Sequence, residues 1–154
     1  MPPDGPVENE NTLAMTGEEV TAFLDRVFPE RHENWPPIHI ESLEPCSARL
    51  RMEFTDSLLR PGGTISGPNM FMLADYGIYV AILGMLGPVE LAVTTNLSIN
   101  FLRKPLKRDL LASVTLHKLG KRLAVGEVAL RSESEEELVA HATGTYSIPP
   151  PDKR

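Results

Sequence analysis

The chain has 154 residues, of which 42% are hydrophobic and 23% are charged, the proportions of an ordinary globular protein with one core. Its net charge of -6 argues against a general nucleic-acid binder, because such a protein needs a positive surface to neutralise phosphates. The single cysteine, Cys46, cannot form a disulfide within the chain, so the sequence fits a reducing, cytoplasmic compartment.

Both ends of the chain are rich in proline and charge. The N-terminal end has neither the basic region nor the apolar region of a signal peptide. We therefore predict a flexible N-terminal tail over 1–15, one domain over 16–148 and a C-terminal tail over 149–154.

The first predicted element is a short amphipathic helix. Thr16 to Glu19 has the form of a capping box, in which Thr16 caps the helix and Glu19 reaches back to it. Apolar residues then recur at helical spacing until Pro29 ends the element: Val20, Phe23, Leu24, Val27 and Phe28. The segment from His32 to Pro37 is predicted to be a loop.

Two strands are predicted next. They are indicated by apolar residues that alternate with polar ones, first Ile38 and Ile40, then Leu50, Met52 and Phe54. Pro45 marks a break between them. The residues from Asp56 to Gly63 predict a turn-rich loop.

A long apolar helix follows, beginning with the stretch "SGPNMFMLADYGIYVAI", whose one acid is Asp75. Gly67 to Leu86 has a borderline length for a membrane span, but Asp75 near the bilayer centre would cost roughly 3 kcal/mol or more. The flanks also lack an aromatic belt and a basic cluster on one side. We therefore predict an interior helix wrapped by protein, and no membrane.

The rest of the chain predicts four more strands. Thr95 to Phe101 alternates, with Leu97, Ile99 and Phe101 on one face, and three further candidates cover Leu110 to Leu119, Leu123 to Arg131 and Leu138 to Ile148. A tight turn at Gly120 and Lys121 and an acidic turn at Glu133 to Glu137 connect them. The fold class is therefore α+β, with an antiparallel sheet around the long helix.

The start of the long helix has the features of an oxyanion site. Pro68 is predicted at the first helical position and Gly67 at the N-cap, where its N–H lies at the positive end of the helix dipole. Asp75 lies eight residues further on, about 12 Å along the helix, so the two groups of one chain cannot serve one carbonyl. They can do so if two copies meet at a two-fold axis. A structural role for Asp75, with its carboxylate bound by nearby donors at an interface, stays open.

Four stretches together resemble the hotdog-fold acyl-CoA thioesterases of the phenylacetate-pathway (PaaI-like) group: "PGGTISGPNMFMLAD", "TTNLSINFLRKPL", "KLGKRLAVGEV" and "VAHATGTYSIP". The resemblance implies paired subunits, a homodimer or a homotetramer built as a dimer of dimers. It implies Asp75 as nucleophile or general base on a small aromatic or medium-chain acyl-CoA, with the Gly67 N–H supplied by the partner subunit. Coenzyme A enters as part of the substrate, with no separate cofactor. Four basic residues are candidates for its phosphates: Arg103, Lys104, Lys121 and Arg122.

The chain departs from the family pattern near the site. Ser66 stands where the family has histidine, and Pro68 replaces its second glycine. Arg60 occupies the position that is often asparagine or glutamine, and a guanidinium cannot accept a proton from water. It is suited instead to an anionic substrate or a coenzyme phosphate. The candidate substrate-binding residues are Arg60, Ser66, Asn69 and Tyr79.

Other chemistries find less support in the sequence. No histidine pair has the spacing of a zinc site or a catalytic triad, no Gly-x-Ser-x-Gly elbow surrounds Ser66, and we predict no metal. A hotdog hydratase lacks the expected His/Asp pair. The main alternative is a non-enzymatic hotdog protein that binds acyl-CoA or acyl groups.

Overall fold

The computed structural model describes residues 11–154 and consists of a six-stranded sheet, a long helix and short elements that precede the helix. In chain order the elements are α1 (Gly17–Val27), α2 (Arg31–Asn34), β1 (Ile38–Glu44), β2 (Ser47–Met52), β3 (Leu59–Arg60), β4 (Thr64–Ile65), α3 (Gly67–Leu86), β5 (Val93–Phe101), β6 (Leu110–Leu119), β7 (Leu123–Ser132) and β8 (Leu138–Ser147). Single 3₁₀ turns lie at Asp56–Leu58 and Pro151–Lys153.

The strands of the large sheet lie in the order β1-β2-β6-β7-β8-β5, and every neighbouring pair is antiparallel. Before α3, β1 pairs with β2 and β2 pairs with β6, whereas β5, which directly follows α3, lies at the far edge beyond β8. This topology, with α3 packed on β6, β7 and β2, confirms the predicted α+β hotdog fold.

Close approach of α3 to the sheet depends on small residues in the strands. Gly126 of β7 pairs with Gly144 of β8, and the side chain of Ile78 from α3 lies against both. A Cβ atom at Gly144 would lie 2.7 Å from Ile78 Cδ1, closer than packed carbon atoms approach. The glycine pair therefore makes room for Ile78 in the core.

The length and composition of α3 would allow it to cross a membrane, but 67% of its most apolar window is buried inside the protein. Its hydrophobicity is thus accounted for by the sheet that covers it.

The N-terminal helix begins as predicted. The Glu19 N–H donates to Thr16 Oγ1 and the Thr16 N–H donates to Glu19 Oε1, each at 3.2 Å, which completes the capping box. Before it, the amides of Ala14 and Met15 donate to the carbonyl of Gly84 in α3. The tail predicted over 1–15 falls mostly on residues 1–10, which lie outside the described part of the chain, and the domain bounds stay a prediction.

Three local predictions were wrong. The loop predicted over His32 to Pro37 begins with helix α2, in which the backbone and side-chain amides of Asn34 both donate to the Glu30 carbonyl. The loop predicted over Asp56 to Gly63 contains β3, which pairs with β4 as a two-stranded ribbon. Phe54 lies beyond β2, and its N–H donates to Asp109 Oδ1 instead of a neighbouring strand.

Candidate active site

The start of α3 lies one residue earlier than the sequence suggests. Ser66, not Gly67, is the N-cap, and its hydroxyl accepts hydrogen bonds from the Asn69 backbone and side-chain amides at 3.4 and 2.7 Å. A serine hydroxyl can accept hydrogen bonds from the first turn of a helix, whereas glycine has no side chain to do so. Gly67 is therefore the first helical residue and Pro68 the second. The Asn69 side chain also donates to the Leu58 carbonyl. Asn69 thus ties the helix start to the preceding segment.

The Gly67 N–H is available to a ligand. The first amides of a helix have no acceptor within it, and no acceptor for this N–H is found among residues 11–154. A Cβ at Gly67 would lie 3.1 Å from the ring of Phe101, a tight contact that would push the ring back by a few tenths of an ångström. Gly67 therefore combines the positive end of the helix dipole with a close apolar neighbour.

A cavity of about 700 Å³, here called the helix-start cavity, opens at Gly67. It is lined by the β3–β4 ribbon, the first turn of α3, and residues 101–105, which begin with the last residue of β5. The structure thus brings Arg60, Ser66, Gly67, Arg103 and Lys104 together around one space. Among the described residues that line it, three are cations and none is acidic.

Asp75 is half-buried, and its two carboxylate oxygens have different surroundings. Oδ1 accepts hydrogen bonds from the Thr94 hydroxyl at 2.6 Å and from the Tyr146 hydroxyl at 2.7 Å. No donor within residues 11–154 reaches Oδ2. One oxygen is therefore fixed in place while the other is free to accept a proton or attack an electrophile.

Tyr146 is suited to this arrangement because it stays protonated. Burial, together with the nearby Asp75 carboxylate, raises the pKa of its hydroxyl well above the usual range. The Tyr146 ring stacks on Tyr79 with centroids 6.2 Å apart. Tyr79 itself donates to the Glu90 carbonyl at 3.1 Å, and burial raises the pKa of its hydroxyl to about 12. In this structure the Tyr79 hydroxyl thus faces Glu90, and its contact with a substrate stays a prediction.

A second cavity of about 420 Å³ is lined by the two Asp75 partners Thr94 and Tyr146, by Tyr79, and by mostly apolar residues of two segments, 27–28 and 90–93; Asp75 itself is not among the described residues that line it. Within residues 11–154, none lines both this cavity and the helix-start cavity. The helical rise puts Asp75 about 12 Å from Gly67 along α3, so each chain presents two separate half-sites.

Strand β5 connects these half-sites. Thr94, near its first residue, binds Asp75, and Phe101, its last residue, packs on Gly67. Since β5 is an edge strand with Leu97 and Ile99 half-buried and the rest exposed, its outer edge is open for pairing.

The four predicted basic residues fall into two groups. Arg103 and Lys104 lie at the helix-start cavity, and Arg103 is engaged by the Glu137 carboxylate and the Leu138 carbonyl. Lys121 and Arg122 lie in the turn between β6 and β7, where the Arg122 carbonyl accepts from the Ile148 N–H. This turn is at the Asp75 end of the sheet, so one chain does not bring the two groups together.

Sequence reasoning missed Thr94, Tyr146 and Phe101. The pairing of β5 with β8 shifts between Thr94 and Asn96, which puts Thr94 beside Tyr146 on the face that meets α3. Tyr146 lies on that face by the regular alternation of β8. Alternation along β5 predicted that Phe101 lies on the same face as Leu97 and Ile99, but it could not predict that Phe101 contacts Gly67. No group of three or more His, Cys, Asp or Glu side chains in the described chain is placed to hold a metal ion.

The strand order and the interior helix define a hotdog protein. Comparison with known proteins gives its family. A model of the thioesterase superfamily matches residues 62–139. A candidate esterase from Saccharolobus solfataricus is 30% identical over 143 residues, which are 92% of this chain and 92% of that protein. The structure of a candidate thioesterase from Silicibacter sp. TM1040 is 43% identical, covers 95% of this chain and 100% of that one, and has a TM-score of 0.83. The chain belongs to the thioesterase superfamily.

Two further solved structures are similar in fold at lower identity. The Escherichia coli PaaI protein of the phenylacetic acid degradation operon is 19% identical, with coverage of 88% and 96% and a TM-score of 0.70. A Streptococcus mutans protein with bound acetyl-CoA is 23% identical, with coverage of 74% and 90% and a TM-score of 0.66. These two similarities support the predicted hotdog fold, and the family match confirms that the chain is of the predicted thioesterase type.

Proposed function

We propose that the protein is a cytoplasmic acyl-CoA thioesterase that hydrolyses a small aromatic or medium-chain acyl-CoA to the free acid and coenzyme A. The observation that carries the proposal is the Asp75 carboxylate, whose Oδ1 is held by two hydroxyls while Oδ2 stays free. Membership of the thioesterase superfamily supports the reaction class. The acetyl-CoA bound to a protein of the same fold supports the type of ligand.

In the proposed reaction, Asp75 Oδ2 attacks the thioester carbonyl or removes a proton from the water that does so. Negative charge then develops on the carbonyl oxygen. The Gly67 N–H, at the positive end of α3, stabilises that charge. Collapse of the intermediate breaks the C–S bond, and the coenzyme A thiolate leaves and takes up a proton. If Asp75 is the nucleophile, the acyl group is then left on Asp75 as a mixed anhydride, and one water molecule hydrolyses it to the free acid and the Asp75 carboxylate.

The reaction requires a dimer, because the half-sites of one chain are too far apart. If β5 pairs antiparallel with its copy about an axis beside Ser98, Ser98 faces Ser98 of the partner subunit. The register shift between Thr94 and Asn96 then lets Thr94 of one subunit lie opposite Phe101 of the partner subunit. Thr94 contacts Asp75 and Phe101 contacts Gly67, so this pairing brings Asp75 towards Gly67 of the partner subunit. The same contact would cover the open edge of β5.

This dimer also suggests how coenzyme A is held. Arg103 and Lys104 lie at the Gly67 end of a subunit, and Lys121 and Arg122 lie at the Asp75 end. Antiparallel pairing would bring the first pair to the side of the partner subunit that carries the second pair. We propose that these cations bind the coenzyme phosphates. Ser66 and Asn69, beside Gly67, and Tyr79, beside Asp75, complete the proposed substrate site.

The proposal is tested with a panel of acyl-CoA thioesters, monitored by release of the free thiol. We expect turnover that falls by roughly 1,000-fold or more in Asp75→Asn, since losing a nucleophile or base removes the main chemical step. The control is Asp152→Asn in the exposed C-terminal segment, which should match the parent. Light scattering should give the same mass for all three proteins. Equal rates for Asp75→Asn and the parent would refute the role of Asp75.

A non-enzymatic acyl-CoA-binding hotdog protein is the second candidate. It is favoured by Arg60 and Ser66, which replace residues that the family pattern assigns to the site. It predicts that coenzyme A raises the thermal unfolding temperature although no thioester of the panel is hydrolysed. Thiol release from any of them would exclude it.

A further inference from the structure

The helix-start cavity carries more positive charge than an oxyanion site needs. Three of its lining residues are cations, Arg60, Arg103 and Lys104. A fourth, Lys107, comes close, because its Nζ lies 3.8 Å from the position of a Cβ at Gly63 in the turn between β3 and β4. Such a space attracts anions, and the positive end of α3 adds to the effect.

The cations differ in whether they are already neutralised. Arg103 is paired with Glu137, whereas the Arg60 guanidinium has no hydrogen-bond or ion-pair partner among residues 11–154. Arg51 and Arg108, for comparison, are held by carboxylates. Arg60 is thus an exposed, unpaired guanidinium next to a cavity.

The position of Arg60 is fixed relative to Gly67 by backbone structure. Arg60 pairs with Thr64 in the β3–β4 ribbon, and its carbonyl accepts the Gly63 N–H at 3.0 Å. The ribbon runs directly into Ser66, whose N–H donates to the Leu58 carbonyl at 2.9 Å. Arg60 is therefore attached to the same short backbone unit that presents the Gly67 N–H.

A guanidinium cannot act as a base, but its planar N–H groups match a carboxylate in a two-point contact. We propose that Arg60 makes this site selective for acyl-CoA thioesters whose acyl group ends in a carboxylate. The inference rests on the proposed function, in which the thioester oxygen accepts the Gly67 N–H. The acyl carboxylate then binds Arg60 within the same cavity. A coenzyme phosphate offers the same chemistry, but the proposed function already assigns Arg103 and Lys104 to the phosphates, which leaves Arg60 for the acyl carboxylate.

The test compares glutaryl-CoA with hexanoyl-CoA, whose acyl chains have similar length but differ in the terminal carboxylate. We expect the parent to have the higher kcat/KM for glutaryl-CoA. In Arg60→Gln the ratio of the two kcat/KM values should fall by roughly 10- to 100-fold, the size of a lost hydrogen-bonded charge contact. Arg60→Lys keeps the positive charge and loses the planar pair of N–H groups, so its ratio should lie between those of the parent and Arg60→Gln. Arg49→Gln, at an exposed arginine of β2, should leave the ratio unchanged.

Thioesters of N-acetylcysteamine distinguish the acyl carboxylate from the coenzyme phosphates as the group that binds Arg60, because they lack the nucleotide and all phosphates. If Arg60 binds the acyl carboxylate, Arg60→Gln lowers the glutaryl-to-hexanoyl ratio with these substrates too. An equal loss for both coenzyme A thioesters that vanishes with the truncated ones would assign Arg60 to a phosphate and overturn the inference. A parent enzyme without preference for glutaryl-CoA would also overturn it.

A failure of the proposed function remains distinguishable from a failure of this inference. If no thioester is hydrolysed, calorimetry with the two non-hydrolysable thioether analogues of coenzyme A replaces kinetics. Tighter binding of the glutaryl analogue, lost in Arg60→Gln, keeps the selectivity while refuting hydrolysis. Equal binding of both analogues to the parent refutes the selectivity.

Discussion

At the residue scale, the unequal surroundings of the two Asp75 oxygens determine what this carboxylate can do. Oδ1 accepts from two hydroxyls, and one of them belongs to Tyr146, whose raised pKa keeps the donor protonated at neutral pH. Tyr146 therefore orients Asp75 and does not compete with it for a proton. On the proposed mechanism, Thr94 and Tyr146 are positioning residues and Asp75 is the catalytic one.

Tyr146→Phe tests this division of roles. The substitution removes the hydroxyl but keeps the ring that stacks on Tyr79, so the fold should persist. Because Asp75 loses one of two fixing hydrogen bonds, we expect kcat to fall by about 10-fold with little change in KM. Thr94→Ser keeps the second hydroxyl and should remain near the parent, whereas Thr94→Val should behave like Tyr146→Phe. An unchanged kcat in the Tyr146→Phe, Thr94→Val double variant would contradict the assigned roles.

At the element scale, the position of α3 depends on the paired glycines under Ile78. In Gly144→Ala the added Cβ would meet Ile78 Cδ1 at 2.7 Å and Leu97 Cδ1 at 3.2 Å. We expect a loss of about 1–3 kcal/mol in the free energy of unfolding, measured by denaturant titration, because the well-packed core must shift.

The matched control removes the clashing methyl group. Ile78→Val alone should cost about 0.5–1.5 kcal/mol. In the Gly144→Ala, Ile78→Val double variant, the loss in the free energy of unfolding should be smaller than the sum of the two single-variant losses, because the smaller valine side chain relieves the contact with the new Cβ. Strict additivity would show that Ile78 does not limit the approach of α3 to β8.

Asp109 links the end of β2 to the start of β6 and gives a prediction for acid stability. Its Oδ1 accepts the Phe54 N–H at 2.8 Å and its Oδ2 accepts from Arg51 at 3.1 Å. The Phe54 hydrogen bond, and after it Arg51, hold the pKa of Asp109 below its usual range. A carboxyl with a lowered folded-state pKa stabilises the protein above its unfolded pKa, and this contribution is lost as the pH falls through the folded pKa.

We therefore expect Asp109→Asn to lower the free energy of unfolding by about 1–2 kcal/mol at neutral pH. The difference from the parent should shrink as the pH falls below about 4, because the parent carboxyl then becomes protonated as well. Asp152→Asn, in the exposed C-terminal segment, is the control and should match the parent at every pH. A difference that stays constant with pH would mean that the charge of Asp109 is not the cause.

The sequence predicts those features that depend on residues close together in the chain, and it does not predict contacts between distant elements. The capping box at Thr16, the alternation of the strands and the separation of Gly67 from Asp75 depend on nearby residues only, and the structure confirms them. The start of α3 was misplaced because two adjacent residues, Ser66 and Gly67, both fit an N-cap, and the hydroxyl contacts with Asn69 decide for Ser66. The partners of Asp75 come from β5 and β8 through an irregular register, which no local pattern contains.

At the scale of the whole molecule, the open edge of β5 is the surface that the proposed dimer requires. The strand has nine residues, and Val93 and Phe101 at its two ends are more than half exposed. Long, uncharged edge strands readily pair with another chain, and a lysine on the edge is a common way to prevent this.

Ser98→Lys should therefore break the dimer, because it places two positive charges close together across the proposed axis. We expect light scattering to report monomers and thiol release to fall by at least about 10-fold, since each half-site loses its counterpart. The matched control is Thr143→Lys, an exposed position that pairs with Ser98 but lies on the interior strand β8. It should remain dimeric and active, and an active Ser98→Lys monomer would refute the shared site.

The most direct test of the shared site is complementation between two inactive variants. Asp75→Asn removes the carboxylate function, and Gly67→Pro removes the N–H at a helical position that tolerates proline. Gly67→Ala, which adds a carbon but keeps the N–H, separates crowding against Phe101 from loss of the donor.

After subunit exchange in an equimolar mixture, half of the dimers contain one subunit of each kind, and each such dimer has one site with both groups intact. The account predicts recovery of about a quarter of the parent rate per subunit. Mixed dimers that form, as seen by mass spectrometry, yet stay inactive would contradict it.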